Sequence, residues 1–436
     1  MRMGQGWGGW RPARWAVPLA FLLVSAAGAM LVYHVGARAY LFLELLQAVD
    51  ITHPSLPTEI KSAAQGRPSP DFPLTARIER ILPASSSVRV AWNQNGTLVA
   101  VARIFDGRVT VWDRRSGEVV REFRRSFADG VGEPLAFTSD GQYLITGASD
   151  GGVTGDIAFT IWSMASGTVA KQVKGSCPDI PGLDLHQLEG RNHVSYFTIS
   201  PDGALVATID GCRPPVIRIY EAKTWLVVTK LKIDEKNLII KDASGLQDFF
   251  LNGQMTFSPD GKILAVAGLF AHHGLSQRTS SGAVVMFDVA AHSITRMIEA
   301  NKGFSRGVQG MSFSPDGRFI ATGAEAGLLD LGSDGNPLQM PDPIRVWHVA
   351  DGTLAWPYRQ PFEHVWALVW DPRGRYLASA TGGTSEVVLW PITAPQAEPI
   401  PAVKYFPPPL DLAVTKDGRY LAAVNGDKLA IIHVSK

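Results

Sequence analysis

One turn motif recurs along this chain of 436 residues and constrains its fold more than any other feature. Nearly the same dozen residues occur as FSPDGKILAVAG from Phe257 and as FSPDGRFIATGA from Phe313. Divergent copies begin at Trp92, Phe137, Ile199, Trp370 and Val414, which makes seven copies. Pro at the second turn position fixes φ at about −65°, and Gly at the fourth accepts a positive φ. Each copy therefore predicts a tight β-hairpin between two apolar strands.

A third and a fourth strand follow these hairpins. The third segment ends near a large residue in every copy: RVTVWD, FTIWS, VIRIYE, AVVMFDV, PIRVWHV, EVVLWPI and LAIIHVS. Polar turns such as RRSGE, MASGT and VADGT then lead into a fourth strand. Four antiparallel strands repeated seven times predict an all-β fold, a seven-bladed β-propeller of four-stranded antiparallel blades over residues 72–436.

The SPDG turn and the aromatic residue of the third strand resemble those of the WD40 family. This resemblance covers roughly residues 72 to 436, although a third segment ends in an intact Trp-Asp pair only at Trp112-Asp113 and the family's Gly-His dipeptide is absent. His193 and His364 precede the first strands of their repeats at an unusual separation, so we expect most of the family's Asp-His-Ser-Trp hydrogen-bond network to be missing. The third-strand residues Trp112, Trp162, Trp347 and Trp390 are expected to pack between blades rather than to stack a cofactor or nucleic acid.

The two ends of the repeat region are complementary. The last unit, residues 411–434, stops after three strands, whereas LTARIERIL at residues 74–82 precedes the first repeat without a place in it. We expect this segment to supply the missing outer strand of the last blade. Such closure would join the two ends of the chain and remove exposed strand edges.

The first 50 residues differ from the rest. Residues 15–35 read WAVPLAFLLVSAAGAMLVYHV without Asp, Glu, Lys or Arg, which is long enough for one transmembrane helix. The alternative is a cleaved secretory signal, because Ala27-Gly28-Ala29 resembles a cleavage site. Arg2, Arg11 and Arg14 precede the span, so the positive-inside rule places the N-terminus in the cytoplasm. The predicted span contains Trp15, Leu19, Phe21, Leu22, Leu23, Val24, Met30, Leu31 and Tyr33.

The predicted organisation has four parts. Residues 1–14 form a cytoplasmic tail, 15–50 a transmembrane helix with a juxtamembrane extension, 51–71 a Pro-rich linker and 72–436 the propeller. This arrangement predicts a single-pass protein of a bacterial inner membrane with its propeller on the periplasmic side.

Insertions between the repeats indicate a binding face. They fall at residues 174–192, 234–253, 269–282 and 325–343, all in connections that a propeller places on the face opposite the short hairpins. Long loops on one side of a rigid scaffold are typical of a binding surface, although loops also lengthen without function because extra length costs little. The candidate partner-binding residues are Asp179, Asp184, His186, Phe249, Phe250, Phe270, His272, Arg278, Leu328 and Asp330. The apolar ones among them would either dock a protein or pack the loops together.

Other chemistry finds little support in the sequence. Cys177 and Cys212 lie in connections of one repeat and would form a disulfide in an oxidising compartment, or else stay as two thiols. His272-His273 lacks a third metal ligand, and DLGSDGN at residues 330–336 lacks the register of a calcium loop. Neither a catalytic motif nor a cofactor motif occurs in a supporting context, so we expect no cofactor.

The net charge of the chain bears on which class of partner it binds. The net charge of +1 gives no reason to expect nucleic acid. The sequence predicts a non-enzymatic scaffold subunit that binds a membrane or envelope protein complex through its loop-bearing face, its transmembrane helix or both, and takes no small-molecule substrate. The rival interpretation is a propeller enzyme or small-ligand binder that uses the mouth of the central channel.

Overall fold

Strands joined by tight turns make up the described part of the chain. The computed structural model describes residues 74–103, 107–124, 134–147, 157–174, 194–210, 216–232, 247–272, 280–302, 307–324, 343–358, 364–382, 385–392, 399–404 and 408–435. These residues form an all-β fold of antiparallel sheets, and all of them lie in one compact unit that spans residues 57–436.

Five sheets contain four strands each, in meander order. They are β5 (Leu135–Phe137), β6 (Tyr143–Gly147), β7 (Ile157–Ser163) and β8 (Val169–Lys174); β9 (Val194–Ile199), β10 (Leu205–Asp210), β11 (Val216–Glu221) and β12 (Val227–Lys232); β13 (Gln247–Phe257), β14 (Ile263–His272), β15 (Ser280–Asp288) and β16 (Ser293–Lys302); β17 (Val308–Phe313), β18 (Phe319–Ala324), β19 (Ile344–His348) and β20 (Leu354–Tyr358); β21 (Val365–Trp370), β22 (Tyr376–Thr381), β23 (Glu386–Pro391) and β24 (Ile400–Lys404).

The sixth sheet joins the two ends of the described chain. Its seven strands run in the order β25-β26-β27-β1-β2-β3-β4. They are β1 (Thr75–Trp92), β2 (Leu98–Arg103), β3 (Arg108–Asp113), β4 (Val119–Arg124), β25 (Asp411–Val414), β26 (Tyr420–Val424) and β27 (Gly426–Ser435).

Strand β1 pairs with both ends of the chain. Its first part lies antiparallel to β27, from Thr75 opposite Ser435 to Leu82 opposite Leu429. Its second part pairs with β2, with Trp92 opposite Val99. The expectation that residues 74–82 close the last unit is therefore confirmed.

The hairpin turns are held by their own side chains. In the turn after β13, the Ser258 hydroxyl donates to the Asp260 carboxylate at 2.6 Å and accepts from the Ile263 N–H at 2.9 Å. Gly261 adopts a φ of 72°, where a side chain would be strained. The same hydroxyl-carboxylate pair occurs at Ser200-Asp202 and Ser314-Asp316. The repeated motif therefore specifies the turn locally.

The core consists of clusters that lie between successive sheets. Val285 and Phe287 pack with Ile217 of the preceding sheet, for example, and Trp390 packs with Ile344. A further cluster joins Leu429 and Ile431 of the last strands to Val99 near the start of the described chain. This circular order of cores is consistent with a β-propeller.

Third-strand tryptophans pack between sheets, as expected. The Trp162 ring lies 5.3 Å from the Phe123 ring, and the Trp390 ring lies 5.1 Å from the Tyr358 ring of the preceding sheet.

Each of three third-strand indoles also donates a hydrogen bond to a hydroxyl on the second strand of its own sheet. The pairs are Trp162 with Thr146 (3.0 Å), Trp347 with Thr322 (3.0 Å) and Trp390 with Ser379 (2.8 Å). These bonds correspond to the hydroxyl–Trp link of the family's Asp-His-Ser-Trp network, in three units. The hydroxyls sit two residues after the position opposite each Trp, a spacing that strand alternation makes possible.

Candidate functional site

One sheet is taller than its neighbours. Strands β13 to β16 contain 11, 10, 9 and 10 residues, whereas each of β9 to β12 contains 6. Four additional residues extend a strand by about 13 Å. The extension comprises the start of β13 and the end of β14, and it therefore lies at the end of the sheet opposite the Ser258–Gly261 turn.

The turns on the opposite side share a common face. A Cβ on Gly261 would lie 4.0 Å from the Pro201 ring of the preceding hairpin, and one on Gly317 would lie 3.7 Å from the Pro259 ring. Since neighbouring hairpin turns touch, the other ends of these strands also share one face. The ends that flank residues 175–193, 233–246, 273–279 and 325–342 lie on that second face, which we call the connection face.

The structure places four of the predicted partner-binding residues on the tall part of this sheet. Phe249 and Phe250 belong to β13, whereas Phe270 and His272 belong to β14. Phe249 lies directly opposite Phe270 in the strand register, and Phe250 lies opposite Leu269. Residues 247–251 and 269–272 are thus paired strands, which corrects the expectation that they belong to loops.

A bulge in β13 explains why the sequence predicts loops where the structure has paired strands. The pairing of β13 with β14 shifts its register between Leu251 and Met255. Asn252 and Gly253 interrupt the apolar alternation there, which makes a continuous strand look like a loop followed by a shorter strand. The remaining predicted binding residues, Asp179, Asp184, His186, Arg278, Leu328 and Asp330, lie outside the described residues.

The hairpin face is braced by ion pairs and turn contacts. Asp371 is fully buried and accepts two hydrogen bonds from the Arg375 guanidinium, at 2.7 and 3.1 Å. The same guanidinium donates to the Gly418 carbonyl of the next hairpin at 2.6 Å. This bridge fixes the two hairpins to each other.

Turn carboxylates on this face are stabilised as anions. The Ser200 hydroxyl and the Ala204 N–H hold the pKa of Asp202 below its ordinary value. The Ser258 hydroxyl and the Lys262 N–H do the same to the pKa of Asp260. These charges serve the turn geometry, since each carboxylate is already occupied by hydrogen bonds.

The first strands of three units bring three polar side chains together. Arg89 of β1 donates to the Tyr196 hydroxyl of β9 at 3.4 Å, past the intervening sheet. Asp411 of β25 accepts a hydrogen bond from the Val90 N–H at 3.0 Å. Burial raises the pKa of Asp411, and the nearby charge of Arg89 offsets only part of that effect. This arrangement can bind a small polar group, but it does not pair a nucleophile with a base.

Metal sites, a membrane span and a disulfide are the other features considered from the sequence. Within the described residues, no group of three or more His, Cys, Asp or Glu side chains is placed to hold a metal ion. Across the same ranges, no helix has the length and apolar character needed to cross a membrane. Cys177, Cys212 and every residue of the predicted span (Trp15, Leu19, Phe21, Leu22, Leu23, Val24, Met30, Leu31 and Tyr33) lie outside the described residues, so the disulfide and the span stay predictions.

The sequence reasoning missed one exposed feature at the outer rim. Leu226, Val227 and Val228 are exposed at 66, 42 and 58 %. They follow Trp225, which stands where other repeats have Gly117 and Gly167. An aromatic residue in place of a turn glycine was the signal that could have identified this site.

Comparison with known proteins identifies the repeat type. The family model described as "WD domain, G-beta repeat" (WD40) matches residues 77–113, 295–331 and 357–390. Each match starts within a fourth strand and includes one hairpin turn of the repeated motif. None of the curated proteins compared with the chain matches it. WD40 repeats, found in three places on a fold of four-stranded sheets, imply a role as a protein-interaction scaffold.

Proposed function

We propose that this chain is a non-enzymatic, membrane-anchored scaffold that binds another membrane or envelope protein complex through its connection face. The observation that carries the proposal is the tall sheet β13–β16, in which Phe249 and Phe270 lie two residues, or about 7 Å, beyond the strand end of the preceding sheet. Exposed loops and elevated strands on a rigid ring are typical of protein-binding sites.

The scaffold is a seven-bladed propeller in this proposal. Five blades are the four-stranded sheets, and the seven-stranded sheet supplies the other two, which share the long strand β1. Support comes from the core clusters, because one of them joins each consecutive pair of units and another joins the last unit to the first.

The binding experiment uses the full chain purified from its native membrane. We expect a defined protein to be retained by the parent chain and lost from the double variant Phe249→Ser/Phe270→Ser. The matched control is Leu354→Ser, which changes an apolar residue exposed at 46 % on β20, away from the connection face. Retention of the same protein by the double variant would refute the assignment of the site.

The membrane anchor is the second part of the proposal. The uncharged run of residues 15–35 and the preceding arginines support a single span with the N-terminus in the cytoplasm and the propeller in the periplasm. The intact mass of the protein from membranes tests this against a cleaved signal. Deletion of residues 1–71 then separates two sites: loss of the complex would place binding in the span, and survival would place it on the connection face.

A small-ligand role is the second candidate. The cluster of Arg89, Tyr196 and Asp411 supports it, because these groups come from the first strands of three units. A ligand-dependent rise in melting temperature that disappears in Arg89→Gln would favour this role over scaffolding.

A further inference from the structure

Exposed aliphatic side chains cluster on the outer strands of three consecutive units. Among the large hydrophobic residues that are exposed in the described ranges, most lie on β4, β8 and the hairpin that leads into β12. They are Val119, Val120, Val169, Leu226, Val227 and Val228. Ile81 and Leu354 are the others, and they lie on β1 and β20. We call the outer surface of β4, β8 and β12 the aliphatic rim.

The β11–β12 hairpin presents the most exposed part of this rim. Trp225 adopts a φ of 60°, whereas Gly117, Gly167 and Gly352 hold the positive φ in the corresponding turns. A bulky residue in the left-handed region is strained and persists only where its surroundings fix it. Its ring packs 5.8 Å from the Phe159 ring, which anchors the turn and leaves Leu226 exposed at 66 %. The side chains after Trp225 therefore project to solvent from a fixed hairpin.

The aliphatic rim is also basic. Strands β4, β8 and β12 contain Arg121, Arg124, Lys171, Lys174, Lys230 and Lys232 but only one acidic residue, Glu122. Glu122 is paired with Arg108 at 3.2 Å. In the β12 hairpin the exposed Lys223 is balanced by the exposed Glu221, and Glu118 beside Val119 is exposed as well, so the excess of basic residues lies on the strands themselves. By contrast, β20 and β24 together contain a single charged residue, Lys404.

This combination fits a lipid surface better than a protein. The exposed apolar groups are valines and a leucine spread over three strands, without the exposed aromatic residues that mark the centre of a protein interface. Aliphatic side chains that enter the acyl boundary, together with lysines and arginines at the level of the phosphates, are the features of interfacial membrane binding. We propose that the aliphatic rim binds the surface of a bilayer that contains anionic phospholipid.

Binding by the rim would place the ring on its edge. Strands β4, β8 and β12 would lie against the bilayer, and the connection face would stay free for a protein partner. The inference rests on the proposed function in one respect, namely that the protein is located at a membrane. It does not require the N-terminal span.

Flotation with lipid vesicles tests the proposal. The compact unit 57–436 is suitable, because its described strands pair only with one another. We expect it to float with vesicles of phosphatidylcholine and phosphatidylglycerol, to bind vesicles of phosphatidylcholine alone much more weakly, and to dissociate as salt is raised. Absence of binding to the anionic vesicles would overturn the proposal.

Matched variants locate the binding surface. Leu226→Ser/Val228→Ser should lower vesicle partitioning about a hundredfold if both side chains are fully buried in the bilayer, since each buried aliphatic side chain contributes about tenfold. Lys223→Gln/Lys230→Gln should lower it about fivefold for each charge removed. The controls Leu354→Ser and Lys404→Gln should leave it unchanged. Equal loss in the control variants, or none in the rim variants, would refute the location.

Thermal melting and protein capture distinguish a misfolded variant and a protein-binding rim from a lipid-binding rim. Thermal melting identifies a variant that fails to fold, in which case the lysine pair decides the test. Rim variants that lose the captured protein and not the vesicles would show that the rim takes a protein, which also contradicts the proposal. If the scaffold proposal alone is wrong, vesicle binding persists while Phe249→Ser/Phe270→Ser changes no protein capture.

Discussion

Thr75 and Ser435 are joined by a hydrogen bond of 2.9 Å between their hydroxyls, although 360 residues separate them in the sequence. The bond lies at the end of the β1–β27 ladder, which continues inward to Leu82 opposite Leu429. The two ends of the ring are thus held by main-chain pairing and by the core around Ile431 and Val99. Cooperativity of the whole ring should depend on this single ladder.

Removal of residues 430–436 should destabilise the entire ring rather than one sheet. The truncation deletes Ala430, Ile431 and Ile432, which are fully buried, and leaves most of the first part of β1 without a partner. We expect a fall in melting temperature of more than 10 °C, because the lost core contributes several kcal/mol. Differential scanning calorimetry measures it. Removal of Lys436 alone, beyond the last strand pair, is the control and should change nothing.

Val101→Thr should stabilise the protein. Trp112 lies opposite Val99, so Val101 occupies the position from which Thr146 accepts the indole hydrogen bond of Trp162. The Trp112 indole nitrogen is buried, and no hydrogen-bond partner for it occurs among the described residues. A hydroxyl there should add about 1 kcal/mol to the free energy of unfolding.

The control for this change is Val99→Thr, which buries a hydroxyl at the position where other sheets have Leu144 or Leu377. It should lower the free energy of unfolding by about 1–3 kcal/mol. Denaturant titration gives the free energy of unfolding of both variants. Equal changes in the two would refute the assignment of position 101 as the one that faces the Trp112 indole.

Gly418→Ala should be far more harmful than Gly141→Ala. Both glycines have nearly the same backbone conformation, with φ of 66° and 67°. A Cβ on Gly418 would collide with the Asp371 carboxylate, whereas a Cβ on Gly141 would meet no atom of the described residues within 4 Å. Backbone strain costs each variant about 1–2 kcal/mol.

Gly418→Ala should also disrupt the buried Asp371–Arg375 pair, which should lower its free energy of unfolding by about a further 3 kcal/mol. Gly141→Ala should not have this second effect. Chemical denaturation gives both values. A difference of less than 1 kcal/mol between the two glycine variants would contradict the role given to the Arg375 bridge, since that is about the worth of one ordinary hydrogen bond.

Acid should weaken the hairpin turns. The hydrogen bonds from Ser200 and Ser258 lower the pKa of Asp202 and Asp260 in the folded state. A folded pKa below the unfolded value gives stabilisation that is complete above the ordinary value of 3.8 and is lost as the pH falls through the lowered folded pKa. Asp202→Asn/Asp260→Asn should therefore be less stable than the parent at neutral pH, and the difference should shrink below that value. The measurement is the free energy of unfolding of parent and variant at neutral pH and below pH 3.8. A difference between them that is the same under both conditions would refute this explanation.

Local chemistry explains what the sequence could predict. The SPDG turns, the third-strand tryptophans and the closing strand at residues 74–82 follow from turn stereochemistry and strand alternation, which act over a few residues. These features predict the four-stranded units and the closure by β27 that the structure has.

Features that depend on the pairing and packing of separate strands could not be predicted from the local sequence. The tall strands β13 and β14 were hidden by the bulge near Gly253, because a bulge breaks the alternation that reveals a strand. The hydroxyl partners of Trp162, Trp347 and Trp390 lie on another strand, so no local motif contains both groups. The exposure of Leu226 depends on how the Trp225 turn packs on Phe159 of the neighbouring sheet.

Affinity capture of the full-length protein from its native cells, with the parent chain beside Phe249→Ser/Phe270→Ser and Leu354→Ser, tests the central claim most directly. The scaffold account predicts one defined protein in constant ratio with the parent and with Leu354→Ser, and its loss from the double phenylalanine variant. A parent chain that purifies alone, while a small molecule raises its melting temperature through Arg89, would contradict the account.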